Sequence, residues 1–367
     1  MGSKIRVEPL IFAGVENDPL ATLVARALKM ELAEVKYVRF QGAVPGGGET
    51  KPEVMVNVAK RHCVIVWSPK MTNDELMQIL QLIDCLKQQG SCQDVILVVP
   101  CYPYARQDKT HEKREPVVAA LVAKLLESVG TDQIIFLDIH AQQIEGFFRK
   151  TKVRCLWMKN IWVDFIRRCL NSIEKKYRTN KVVVLAPDAG ALHVAKKLAE
   201  SLSCSVAVNL KTRDTSKVHT ISSLGLAGDV KDAIVIIVDD LVASGDSLFL
   251  AAANAKSNGA KYVMALATHA ICFDKTDSEK TFAQKLYESE IGELVVTNTL
   301  IAFSQKVKDN TQLQRKVTIL DISSYLALVI KRLESDKGET IREMLYDPKI
   351  KARMLYRIWW QAQKARG

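Results

Sequence analysis

The chain of 367 residues is short of several features that would sort it into a class at once. No apolar run approaches the ~20 residues that a membrane-spanning helix requires. The opening MGSKIRV carries no apolar signal core, so a cytoplasmic protein without integral membrane association is expected. The eight cysteines (Cys63, Cys85, Cys92, Cys101, Cys155, Cys169, Cys204 and Cys272) form no CxxC pair and mostly sit within or beside apolar runs. They read as reduced, mostly buried thiols, with neither a zinc site nor a disulfide framework. The glycine-rich PGGGETK at Pro45 to Lys51 lacks the GK[ST] ending of a Walker A loop, which excludes that phosphate-binding device. The net charge of +11 raises nucleic acid as a partner, but residues 346–367 hold six Lys or Arg against one Asp. Nearly half of the excess is therefore local to the tail, no nucleic-acid motif accompanies it, and anionic small substrates suit the remaining balance.

What is present is strand-helix alternation. Apolar runs at Val64–Trp67, Val95–Val99, Ile134–Leu137, Val182–Leu185, Val206–Val208, Ile234–Val238, Tyr262–Ala267, Leu294–Val296 and Val317–Leu320 are mostly continuous, as in strands buried on both faces. Between them lie helical patterns at Asn73–Lys87, Val117–Val129, Leu192–Leu202 and Ser247–Asn258. The expectation is α/β architecture with mainly parallel sheets flanked by helices. The length suits two domains, 1–152 and 153–324, followed by a C-terminal helix over 325–345 and a basic amphipathic tail over 346–367.

Four polar segments interrupt this frame. YPYARQDKTHEKREP, from Tyr102 to Pro116, packs cations directly behind an apolar strand, where several phosphate oxygens can be neutralised together. VDDLVASGDS, from Val238 to Ser247, places two carboxylates at a strand end and small residues before a helix, a pattern that lets backbone N–H groups approach a phosphate. Asp188 in LAPDAG follows another strand. LKTRDTSKVHTISSLGLAGDVKD, from Leu210 to Asp232, reads as a long polar loop.

PYARQDK, LDIHAQQIEGFF, PDAG, GDVKD and VDD occur in the order and spacing of the ribose-phosphate pyrophosphokinases, also called phosphoribosyl-pyrophosphate synthetases, and the resemblance spans about residues 7 to 345. It implies two phosphoribosyltransferase-like domains and transfer of the β,γ-diphosphoryl group of ATP to the 1-hydroxyl of ribose 5-phosphate. ATP would be held by Arg106, Gln107, Asp108, Lys109 and His140, with Phe40 and Glu49 at the adenine. Asp188, Asp239, Asp240, Ser244, Gly245 and Ser247 would hold ribose 5-phosphate. Lys211, Arg213 and His140 would be catalytic, and Mg2+ would lie near His140 and Asp188. The resemblance also implies a homo-oligomer built from dimers into a hexamer, or a hetero-oligomer with related subunits, and inorganic phosphate as an activator.

Three positions depart from the family pattern: Ala191 replaces the second glycine of PDAGG, Ala243 removes an acid, and Asp246 puts a carboxylate where the family has glycine. These departures motivate a second reading, a non-catalytic regulatory subunit. A third, a phosphoribosyltransferase, shares the acid pair and small-residue loop but leaves PYARQDK without a use.

Overall fold

The computed structural model describes residues 8–42, 48–110, 113–213, 221–276 and 278–333, and for 211–213 and 221–224 the backbone alone. These residues divide into two compact units, 8–157 with 323–333, and 158–322.

The first unit runs β1 (Leu10–Ala13), α1 (Pro19–Leu28), β2 (Val35–Arg39), β3 (Thr50–Val54), β4 (His62–Val66), α2 (Asn73–Asp84), β5 (Asp94–Val98), α3 (Val118–Ser128), β6 (Gln133–Leu137) and β7 (Lys152–Leu156). Its main sheet has the order β1-β4-β5-β6-β7, parallel throughout. The hairpin β2-β3 stands apart as an antiparallel pair. The strands lack alternation because both faces are covered: Phe12, Ile65, Leu97 and Phe136 join one apolar core with Ile79 and Leu82 of α2 and Val122 and Leu126 of α3.

The expected boundary at 152/153 falls at the first residues of β7, and the structure carries the unit on to Trp157. The basic connector before β7 is tied down: the Glu127 carboxylate accepts backbone N–H groups from Arg149 at 2.7 Å, Lys150 at 2.6 Å and Thr151 at 2.9 Å. β7 then pairs with β6 from Gln133↔Lys152 to Leu137↔Leu156. A connector with its backbone donors satisfied and its strand in the sheet is part of the domain.

The second unit contains α4 (Lys159–Tyr177), β8 (Val182–Ala186), α5 (Leu192–Leu202), β9 (Ser205–Arg213), β10 (Ile221–Ala227), β11 (Ile234–Val242), α6 (Asp246–Ser257), β12 (Tyr262–Ala270), α7 (Phe282–Glu288), β13 (Glu293–Thr297), α8 (Ile301–Lys308), α9 (Thr311–Lys316) and β14 (Val317–Leu320). Its sheet has the order β10-β9-β8-β11-β12-β13-β14, with only the β10-β9 pair antiparallel. The chain then returns to the first unit as α10 (Ser323–Leu333), whose Tyr325, Leu326, Val329 and Ile330 are buried. The expected C-terminal helix thus begins at Ser323. The remainder of 325–345 beyond Leu333, and the tail 346–367, lie outside the described residues.

At the carboxyl edge of the first sheet, Asp18 organises the turn into α1. One carboxylate oxygen accepts the N–H groups of Leu20 at 2.9 Å and Ala21 at 3.3 Å, and the other takes the Ser68 N–H at 2.7 Å, which joins the exits of β1 and β4. Burial raises its pKa to about 6 against the pull of these hydrogen bonds. Because the folded value exceeds the unfolded one, the group's contribution to stability is full below the unfolded value near 3.8 and declines as the pH climbs toward 6. Asp18→Ala is expected to destabilise by about 2 kcal/mol, since the cap and the strand link are both lost. Thermal unfolding should show that deficit shrinking from pH 5 to pH 7.

Candidate active site

Parallel strands in a helix-covered sheet present their polar chemistry at the carboxyl ends. In the first unit two such ends carry expected residues. After β5 the chain turns through Tyr102, whose hydroxyl donates to the Ala119 carbonyl at 2.9 Å and whose ring meets Phe136 and Phe148 edge-on. This buried anchor sits beneath the exposed Arg106, Gln107 and Lys109 and the half-buried Asp108. Gln107 is held by its backbone, its N–H donating to the Tyr104 carbonyl at 2.8 Å and its carbonyl accepting from Ala119 at 3.1 Å.

After β6, Asp138 adopts a left-handed conformation at φ 41° and gives its N–H to the Leu156 carbonyl. The turn buries Ile139 and leaves His140 exposed. Gln143 then donates through its side-chain amide to the carbonyl of Asp108 at 3.2 Å and to the Asp108 carboxylate. The structure therefore brings the 106–109 segment and the LDIHAQQ segment together, with Gln143 as a brace that the motif comparison did not single out.

Phe40 and Glu49 end the β2-β3 hairpin, where the Phe40 N–H donates to the Glu49 carbonyl at 2.9 Å. Phe40 is 49% exposed, with the Lys51 ammonium 6.0 Å from its ring centroid. Glu49 lines a shallow pocket with Asp74, Met77 and Gln81 of α2, and the Tyr104 hydroxyl bonds Asn73 at the start of that helix. One helix start is therefore flanked by both expected nucleotide segments. Residues 43–47 of the glycine-rich insertion lie outside the described residues.

In the second unit Asp188 closes the turn after β8, one oxygen accepting the N–H groups of Gly190 at 3.0 Å and Ala191 at 3.2 Å. β8 pairs with β11, so Asp188 lies near the acid pair at the end of β11. Asp239 also accepts the Asp240 N–H at 2.9 Å. Burial drives the Asp239 carboxyl well above the usual carboxylate range, and the neighbouring charges of Asp240 and Asp188 add to the rise. Carboxyl groups at one sheet edge suit hydroxyl groups as ligands. Among the described residues, no cluster of three or more His, Cys, Asp or Glu side chains is arranged to hold a metal ion.

Beyond β11, Gly245 takes φ 81°, and a Cβ there would stand 2.7 Å from the Phe249 ring and 2.9 Å from that of Phe282. Only glycine fits. α6 follows with the Phe249 N–H bonded to the Gly245 carbonyl. Ser244 and Ser247 are half-buried beside this turn. The Asp246 carboxylate, unexpected at an anion-binding helix start, accepts the Ser244 hydroxyl at 3.0 Å and lies 2.5 Å from the Lys275 ammonium and 3.7 Å from that of Lys285. Burial tends to raise its pKa, but these hydrogen bonds and charges outweigh it and the net shift is downward. Neither lysine was singled out from the sequence, because they sit well beyond the motif and reach it only through the fold.

Lys211 and Arg213 occupy the last turn of the pleat in β9, in register with Ser223 and Ile221 of β10. The polar stretch from Leu210 to Asp232 is therefore not a single loop. Strands extend into it from both ends, and 214–220 lie outside the described residues. Gly228 lies beyond β10 at φ 119°, with the Ala207 Cβ close against it, and Asp229 pairs with Lys181 at 2.7 Å.

Two family models match the chain: the N-terminal domain of ribose phosphate pyrophosphokinase over residues 9–130, and the phosphoribosyl synthetase-associated domain over residues 215–344. The chain is 33% identical to ribose-phosphate pyrophosphokinase 2 of Schizosaccharomyces pombe, across 90% of this chain and 95% of that protein. It is 31% identical to ribose-phosphate pyrophosphokinase A of Dictyostelium discoideum, across 95% of this chain and 100% of that protein. Phosphoribosylpyrophosphate synthetase from Mycobacterium smegmatis superimposes with a TM-score of 0.74 at 31% identity, over 89% of this chain and 99% of that one. Likeness at this level along nearly the whole length, joined to the two parallel sheets and their edge motifs, means that the chain belongs to the ribose-phosphate pyrophosphokinase family.

Proposed function

We propose that the chain is a ribose-phosphate diphosphokinase that converts ATP and ribose 5-phosphate into AMP and 5-phosphoribosyl 1-diphosphate. The observation that carries this reading is the β11-α6 turn. There the N–H groups of Ser244 to Leu248 have no acceptor among the described residues and stand beside the Asp239 and Asp240 carboxyls. Such a turn takes a phosphate on its backbone, while the acids take sugar hydroxyl groups. The cationic 106–109 segment in the other unit supplies what a plain phosphoribosyltransferase does not need, a place for a second polyphosphate.

In the proposed reaction the 1-hydroxyl oxygen of the sugar attacks the β-phosphorus of ATP. The new O–P bond forms as the bond from that phosphorus to the α,β-bridging oxygen breaks, AMP leaves, and the hydroxyl proton passes to solvent. Arg106 and Lys109 balance phosphate charge, Gln107 and His140 orient the nucleotide, and Phe40 and Glu49 bracket the adenine. Asp108, engaged by Gln143, sets the conformation of its segment. Ser244, Gly245 and Ser247 seat the 5-phosphate, while Asp188, Asp239 and Asp240 hold the ribose. Lys211 and Arg213 stabilise charge that shifts onto the β-phosphoryl and bridging oxygens in the transition state.

Mg2+ would lie near His140 of the first unit and near Asp188 of the second, and would neutralise polyphosphate charge. An ion that arrives on nucleotide phosphates needs only one or two protein ligands, and the carboxylate oxygens of the second unit fit that chemistry. Assembly as a dimer-built hexamer or with related subunits, activation by inorganic phosphate, and a cytoplasmic location complete the reading. No helix among the described residues is long and apolar enough to cross a membrane.

The purified chain, given ATP, Mg2+ and inorganic phosphate, is expected to form AMP only when ribose 5-phosphate is present. Lys211→Ala should reduce kcat about a hundredfold or more while leaving the melting temperature in place. Absence of AMP from the wild type would favour the regulatory-subunit reading. Gly245→Ala should cost about 2 kcal/mol in stability from backbone strain and ring overlap, and should weaken ribose 5-phosphate binding without changing ATP binding. Melting curves and separate titrations of the two ligands distinguish these effects.

A further inference from the structure

A carboxylate at the start of α6 should repel a phosphate seated there, since like charges at a site disfavour one another. Asp246 stands at this position, and the fold encloses it. Lys275 approaches from the segment behind β12 and Lys285 from α7, and both belong to a stretch that is built against the 243–247 turn. The N–H groups of Ile271 and Cys272 donate to the Val242 carbonyl, and that of Phe273 donates to Ala243 at 3.1 Å. Asp274 accepts the Phe282 N–H at 2.6 Å, and the Phe282 ring fills the space over Gly245. Lys306 in turn pairs with Asp274 at 2.8 Å and donates to the Cys272 carbonyl at 3.3 Å.

We infer that Lys275 and Lys285 are positioning residues of the sugar-phosphate site, which cancel the charge of Asp246 and so keep the α6 start able to take a phosphate dianion. The inference rests on the sugar-phosphate reading of the 243–247 turn and adds to it a second wall, made by residues 271–275 and by α7. The side chains of Lys275, Asp246 and Lys285 are only 30%, 31% and 25% exposed, so solvent screens them less than an ordinary surface pair. Asp246 also receives the Ser244 hydroxyl, which ties the neutralised carboxylate to the loop that would seat the phosphate.

The test is calorimetric titration of ribose 5-phosphate into the full chain. The proteins compared are wild type, Lys275→Met with Lys285→Met, Asp246→Asn, and the triple variant that combines all three substitutions. The double lysine variant should bind about tenfold or more weakly, because it leaves a bare carboxylate beside the phosphate. The triple variant should return to within about threefold of wild type, and Asp246→Asn should bind at least as tightly as wild type. Recovery in the triple variant also separates lost charge balance from misfolding, which a third substitution would not repair. An unchanged double variant, or a triple variant as weak as the double, overturns the inference and leaves the sugar-phosphate reading standing. A wild type that does not bind ribose 5-phosphate overturns both.

Discussion

Both units depend on one constraint: a parallel sheet covered by helices on its two faces has no room for charge except at the ends of its strands. Val64, Leu97, Phe136, Val184 and Ile237 are sealed in apolar surroundings. The chain therefore becomes polar where β5, β6, β8 and β11 end, and those exits carry Arg106 to Lys109, His140, Asp188 and the Asp239–Asp240 pair. Their grouping follows from strand adjacency: β5 lies beside β6, and β8 beside β11.

Concentrating polar groups in this way carries an electrostatic cost, which the two units meet differently. In the first, the exposed Arg106, Lys109, Lys113 and Arg114 follow a turn anchored by the buried Tyr102, and a neutral side chain, Gln143, provides the brace. In the second, carboxyl groups crowd together, and burial with like charge pushes Asp239 upward. Asp246 escapes that fate because two ammonium groups reach it. Asp18 resolves the same tension with three backbone N–H groups and remains shifted upward. Buried carboxylates here are tolerated in proportion to the donors and cations that the surrounding elements deliver.

Much of this was legible in the sequence. The non-alternating apolar runs marked nine strands, because burial on both faces leaves a one-dimensional signature that needs no knowledge of neighbours. β1, β2, β3, β7 and β10 were harder. β1 spans only Leu10–Ala13, and β2, β3 and β7 mix charged and apolar residues as one-sided or edge strands do. β10 lies in a stretch whose polarity reads as loop, and it is a strand because β9 offers it an antiparallel partner. The site residues with local motifs, such as Arg106 to Lys109 and Asp239 to Ser247, stood out because each motif is carried by one turn.

The residue order by itself determined the α/β class, the succession of buried strands, and which turns hold acids, cations and small residues, since these depend on local pattern and backbone geometry. Only the tertiary structure decided that Gln143 braces Asp108, that Glu127 binds the connector before β7 into the first unit, and that Lys275 and Lys285 balance Asp246. Each of these contacts joins side chains from separate elements. Their energies arise from distance and desolvation, quantities that no linear spacing encodes until the sheets have folded.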